Sequence, residues 1–151
     1  MFSPSADDIA QFSKLTHNDH FIHLADPRRA LVQGNLYLAT MLHVLDDFCR
    51  EANMAAKRDS TKSTPRYFIR SLSYSILRPM VAGSQLRVCW KVDDAGKRKG
   101  GNEEGTGGVV WWDQDWPIWI EAADGGMVVK ATVTVKHAKR RDSGASKKEV
   151  A

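Results

Sequence analysis

The sequence predicts an α+β domain in which one long helix is wrapped by a curved antiparallel sheet. Two observations carry this. Residues 34–56, GNLYLATMLHVLDDFCREANMAA, form the longest run of helical periodicity, apolar almost all round up to Asp46. Beyond Pro65 the period changes to two and returns to two in several separate stretches. A chain of 151 residues with 42% hydrophobic content suffices for one such domain.

The elements follow in order. Ser5 with Asp8 three positions on is a capping-box pattern ahead of Ile9, Phe12 and Leu15, which predicts a short amphipathic helix ending near Thr16. An irregular histidine-bearing segment closes at Asp26-Pro27 and leads into the long helix, where Leu36, Met41, Leu42, Leu45 and Phe48 call for cover on most sides. In RYFIRSLSYSI, Phe68, Arg70, Leu72, Tyr74 and Ile76 share one face of a strand. In SQLRVCWKV, Leu86, Val88, Trp90 and Val92 do the same. Residues 94–108 read as a mobile glycine-rich loop, followed by a strand over Ile118 to Ala122 and an Asp-Gly-Gly turn. Met127, Val129, Ala131, Val133 and Val135 alternate with polar residues in a last strand. The domain is expected over residues 1–136, with 137–151 as a basic disordered tail. A sheet curled round one long helix is the hotdog architecture, so a single hotdog fold is expected, and with it a homodimer.

Charge argues against several function classes. The net charge of +4 lies entirely in the stretch from Lys136 onward, and the preceding 135 residues hold equal numbers of acidic and basic groups. A neutral body with a basic end is poor evidence for a nucleic-acid partner. No run of about 18 apolar residues is present, which argues against a membrane span. The start, MFSPSADDIAQF, lacks the basic and apolar regions of a secretory signal, so a cytoplasmic location is expected, or a mitochondrial one after loss of a presequence. Cys49 and Cys89 sit in separate apolar contexts and read as free thiols.

The stretch KLTHNDHFIHLADP places His17, His20 and His23 at intervals of three. A metal site, a catalytic base and a polar turn all produce such text. The metal reading is the weakest, because no fourth ligand has recognisable spacing. The run WWDQDWPIW is the second anomaly. Trp112 and Trp116 are candidates to stack on a flat substrate at a pocket mouth, or to cover a sheet face or a dimer interface.

Four blocks in order, FSPSADDIAQFSKLTHNDHFIHLADP, LVQGNLYLATML, SYSILRPMVAGSQLRVC and WIEAADGGMVVKATVTV, resemble the MaoC-like hotdog hydratases, most closely the type 2 hydroxyacyl-thioester dehydratases. The resemblance spans about residues 2 to 136. Longer members with two hotdogs carry these blocks in their C-terminal half, to which this chain corresponds. The subgroup pattern T-x-N-x-H-x-I-H is matched by Thr16, Asn18, His20, Ile22 and His23. The wider family has Asp where this chain has Asn18, and H-G-P-L where it has Gln33-Gly34-Asn35-Leu36.

By that resemblance the chain is a dehydratase or hydratase of a 3-hydroxyacyl or enoyl thioester, carried on coenzyme A or a carrier protein, with no cofactor. His23 is the expected acid/base. The Gly34 N–H, at the helix start, is the expected donor to the thioester oxygen. Asn18 cannot exchange a proton at neutral pH and is left to orient a group. Gln33, Asn35, His20, Trp112 and Trp116 are the expected substrate contacts. The lost acid and the tryptophans leave a second reading open, an isomerase or cyclase of a specialised, polyketide-type metabolite. A third is a non-catalytic acyl- or partner-binding hotdog. A thioesterase is weaker, because Asp46 and Asp47 lie too far along the helix.

Overall fold

The computed structural model describes residues 1–18, 20–24, 26–58, 66–92, 99–104 and 109–140. Helix α1 runs Ala6–Thr16 and starts as its sequence dictates. The Ser5 side chain accepts from the Asp8 N–H at 3.1 Å, and the Asp8 carboxylate accepts from the Ser5 N–H at 2.8 Å. A single turn, α2 (Phe21–Leu24), precedes the long helix α3 (Gly34–Arg58). At 1.5 Å per residue, α3 is about 37 Å long.

Strands β1 (Arg66–Ile76), β2 (Leu86–Trp90), β3 (Lys99–Glu104), β4 (Val109–Ala122) and β5 (Met127–Arg140) form one antiparallel sheet in the order β1-β5-β4-β2, with β3 also paired to β4. Phe2 bridges Leu86 through two backbone hydrogen bonds of 2.8 and 2.9 Å, which anchors the N-terminus at the β2 edge. The core lies between the inner face of this sheet and one line of α3. Tyr37, Met41, Leu45 and Cys49, spaced by four, are buried. Leu38, Leu42 and Val44 are only half-buried, and Ala39 and His43 are exposed. Among the described residues, the cover predicted on most sides of α3 is therefore absent: the sheet packs on one face of the helix.

Four further differences from the sequence reading have physical causes. In β1, Tyr67, Ile69, Leu72 and Tyr74 turn toward the core, whereas Phe68, Arg70 and Ile76 are exposed. The pairing jumps from Ile69–Val135 to Ser71–Thr134, so Arg70 is the extra residue of a β-bulge that resets the alternation. β4 starts at Val109 rather than Ile118, with Gln114, Trp116, Ile118, Ile120 and Ala122 buried on its inner side. Within the expected loop 94–108, Lys99–Glu104 is a strand, and residues 94–98 and 105–108 lie outside the described residues. β5 continues to Arg140, into the expected tail, and buries His137 to 1% exposure. The rest of that tail, from 141 on, lies outside the described residues.

His137 explains the continuation. Its ring stacks on Trp112 at 4.9 Å and meets the edges of Tyr67 and Trp116 at 5.1 and 5.5 Å. Phe48 of α3 closes the same cluster against Tyr67, Trp90 and Trp116. Such aromatic pairs contribute about 0.5–1.5 kcal/mol each beyond their area. Asn53 ties the helix to the sheet: its amide donates to the Tyr67 carbonyl and accepts from the Tyr67 N–H, both at 2.9 Å. The alternations predicted for β2 and the free thiols hold: Leu86, Val88, Trp90 and Val92 pack on the core, and neither cysteine is bridged. Burial pushes the Cys49 thiol up to about 11, so it is protonated near neutral pH.

The β4–β5 turn is locked by charge. Arg78 donates through both terminal nitrogens to Asp124 at 2.9 Å, and Asp124 accepts the Gly126 N–H at 2.8 Å. Gly125 takes φ +78°, which favours glycine. The Arg78 bonds hold the Asp124 carboxyl at about 2, below its ordinary 3.8. A depressed folded-state value contributes stability that is present above the ordinary value and lost as pH falls toward 2. Arg78→Ala is expected to lower the melting temperature at pH 5 to 7, with the gap to the parent closing between about pH 4 and 2. Thermal unfolding across that range, with added salt narrowing the gap, checks it.

Candidate functional site

The segment between α1 and α3 is held by short local bonds. His17 ends α1 in a left-handed conformation, φ 52°, and the next N–H, of Asn18, reaches back to the Ser13 carbonyl at 3.0 Å. His20 accepts from the His23 N–H at 2.9 Å to close the single turn of α2. An Asp26 turn follows, with its side chain accepting from the Arg28 N–H at 2.9 Å. Residues 30–32 then run beside 80–82, through Val32 N–H to Met80 O and Ala82 N–H to Ala30 O, both 2.8 Å.

His23 is half-buried, and its Nδ1 lies 2.8 Å from the Leu31 carbonyl, three residues before α3. A carbonyl only accepts, so Nδ1 carries the proton and donates. This leaves Nε2 of the neutral ring as the lone-pair nitrogen able to take a proton. The His20 ring stands edge-on to His23 at 6.3 Å and is exposed.

Gln33 caps α3, its carbonyl accepting from the Leu36 and Tyr37 N–H groups at 3.0 and 3.3 Å. Its side chain is 2% exposed; Nε2 donates to Ser13 Oγ and, at 3.5 Å, to the Asn18 carbonyl. The expectation that Gln33 contacts substrate is corrected by this geometry: its amide is a buried strut joining the end of α1 to the start of α3. Asn18 is thus tied to α3 through its backbone, with its side chain half-buried.

Gly34 opens α3 at close quarters with β1. A Cβ there would stand 2.8 Å from Ile76 Cδ1 and 3.5 Å from the Tyr74 hydroxyl. As the first helical residue, it has an N–H with no intrahelical acceptor. The Tyr74 hydroxyl reaches the exposed Asn35 side-chain oxygen at 3.4 Å. Ser13 and Tyr74 were missed by sequence reasoning; Ser13 falls one turn after Ile9 on the buried side of α1, the one signal that marked it.

The tryptophans are elsewhere. Trp116 is 0% exposed and contacts Phe48, about 21 Å along α3 from Gly34, so it presents no face to a ligand there. Trp112 is committed to His137. The expectation that Trp116 stacks on a substrate at a pocket mouth is therefore corrected: its ring is enclosed in the core, and Trp112 packs beside it on His137. Among the described residues, no three His, Cys, Asp or Glu side chains converge as metal ligands. Nor is any described helix long and apolar enough to cross a membrane.

No family model matches the sequence, and no curated protein matches it. Three solved structures share its architecture. The (R)-hydratase from A. caviae involved in PHA biosynthesis gives a TM-score of 0.53 at 15% identity, over 89% of this chain and 88% of that one. R-hydratase PhaJ1 from Pseudomonas aeruginosa gives 0.54 at 15% identity, over 93% and 82%. The monoamine oxidase regulatory protein from Archaeoglobus fulgius gives 0.55 at 16% identity, over 93% and 86%. At such identities the likeness speaks to fold. The chain is a single α+β hotdog, its long helix laid on a curved antiparallel sheet, the fold it shares with these three proteins.

Proposed function

We propose that the chain is a hydro-lyase interconverting a 3-hydroxyacyl thioester and the enoyl thioester plus water. The observation that carries this reading is the hydrogen bond from His23 Nδ1 to the Leu31 carbonyl, which leaves Nε2 as the basic nitrogen of a ring held just ahead of α3. The fold shared with two R-hydratases is consistent with it.

The chemistry follows from the groups present. His23 Nε2 removes the α-proton, and the electron pair moves toward the thioester carbonyl. The developing enolate oxygen accepts from the Gly34 N–H, reinforced by the N-terminal end of the α3 dipole. As the pair returns, the C–O bond to the 3-hydroxyl breaks, and the imidazolium gives its proton to the departing oxygen, releasing water. The ring ends neutral, so one histidine serves as base and then acid. This requires the α-hydrogen and the hydroxyl to leave from the same side. Asn18 has the role of aligning the hydroxyl, since an amide holds a hydrogen bond but moves no proton. Asn35 and His20, exposed on either side of this centre, are the remaining candidate substrate contacts. The carrier is coenzyme A or a carrier protein, and the working unit is a homodimer, which covers the half-exposed side of α3. The isomerase or cyclase alternative draws no support from the tryptophans, now assigned to packing.

His23→Ala is expected to lower kcat for crotonyl-thioester hydration by about 10²–10⁴, with the melting temperature within a few degrees of the parent. Hydration at parental rates in that variant would remove the reading. Gly34→Pro, in an Ile76→Val background that makes room for the ring, deletes one N–H where proline suits the first helical turn. It is expected to cost about 10²–10³ in kcat while far-UV circular dichroism retains the helix. Loss of helix in that variant would instead mark Gly34 as a packing residue.

A further inference from the structure

A further cavity lies at the other end of α3. It encloses about 520 Å³ between the C-terminal half of the helix and the start of β1. Asn53 lines it and lies 19 residues beyond Gly34, about 28 Å along the helix, so the His23 centre plays no part in it.

Its chemistry is of two kinds. The wall is apolar where it is most open: Met54 is 52% exposed and Phe68 44%, two large hydrophobic side chains facing one concave space. Around them stand Arg50, Lys57 and Arg66 against a single lining carboxylate, Asp46. Helix polarity accounts for Lys57, since cations suit the last turn of a helix. It does not account for Arg66, which comes from β1, or for Arg50, two turns earlier. Arg50 pairs with Asp47 at 2.5 Å; Lys57 and Arg66 have no ion-pair partner among the described residues. The paired hydrogen bonds from Asn53 to Tyr67 hold the two walls at a fixed spacing, so the groove is preorganised.

We propose that this groove is a second ligand site, for a small phosphate monoester with an apolar body. The Arg66 guanidinium fork and the Lys57 ammonium match a phosphate group, while Arg50 is held by Asp47. The thioether of Met54 and the ring of Phe68 take the apolar body, which inorganic phosphate lacks. A volume of about 520 Å³ suits a ligand of metabolite size.

1-Naphthyl phosphate is the probe, titrated into the full chain by calorimetry and by the ¹³C-methyl resonance of Met54, assigned with Met54→Leu. Binding is expected to shift that resonance, and inorganic phosphate and 1-naphthol are each expected to bind at least about tenfold more weakly. Lys57→Glu with Arg66→Glu is expected to weaken the probe by about tenfold or more, and His23→Ala to leave it unchanged. Rising salt is expected to weaken binding to the parent chain, a readout that needs no variant. An unmoved Met54 methyl at millimolar probe, affinity indifferent to both salt and charge reversal, or 1-naphthol binding as tightly as its phosphate would each overturn the proposal.

Discussion

The packing of one line of α3 on the inner face of the sheet is the constraint from which the other features follow. Tyr37, Met41, Leu45 and Cys49 recur every four residues, and only a concave surface covers such a line along its length. β4 and β5, each of 14 residues, supply the span, and their alternate residues Trp116, Ile118, Ile120, Val129, Val133 and Val135 supply the apolar face. Once that contact forms, the ends of the helix are fixed in space. Its first turn meets Tyr74 and Ile76 at the close of β1, and its later turns meet Tyr67 at the start. The two proposed sites lie at those two ends for this reason.

The outer face of the sheet follows a different rule. There, charges are matched across strands: Arg70 with Asp113 at 2.5 Å, Arg87 with Glu121 at 2.6 Å, Thr134 with Asp115 at 2.8 Å. Trp119 donates to the same Glu121 at 2.7 Å, and Lys136 lies over the Trp111 ring at 5.3 Å. Cross-strand pairs of this kind join facing side chains and favour one register over its neighbours. The tryptophan run thus divides by parity between two environments, a buried aromatic cluster and a polar exterior.

That division explains what the sequence made legible and what it hid. Signals confined to a few neighbouring residues were readable: the Ser5–Asp8 box, the Asp-Gly-Gly turn, the helical run of α3. A bulge leaves no mark in composition, so the Arg70 reset was invisible and Phe68 was assigned to the wrong face. In β4, bulky residues on both faces erased the alternation that marks a strand. In β5, lysines and arginines around His137 read as a tail, although the imidazole is enclosed by three aromatic rings. At the candidate centre, the motif around Asn18 and His23 was legible because it is contiguous. The part taken by Gln33 was not, because its partners Ser13 and Asn18 come from 20 and 15 residues away.

Gln33 makes the amino-terminal helix part of the frame of the centre, though that helix supplies no reacting group. Removing the amino-terminal helix together with Ser13 would strip the amide of its hydroxyl acceptor and leave a polar group stranded in a dry interior, at about 1–3 kcal/mol. The first turn of α3 would lose the brace that fixes its direction. A tag or fusion spliced close to Ser5 pulls on the same linkage, so the leading end of this polypeptide is mechanically continuous with the first turn of α3.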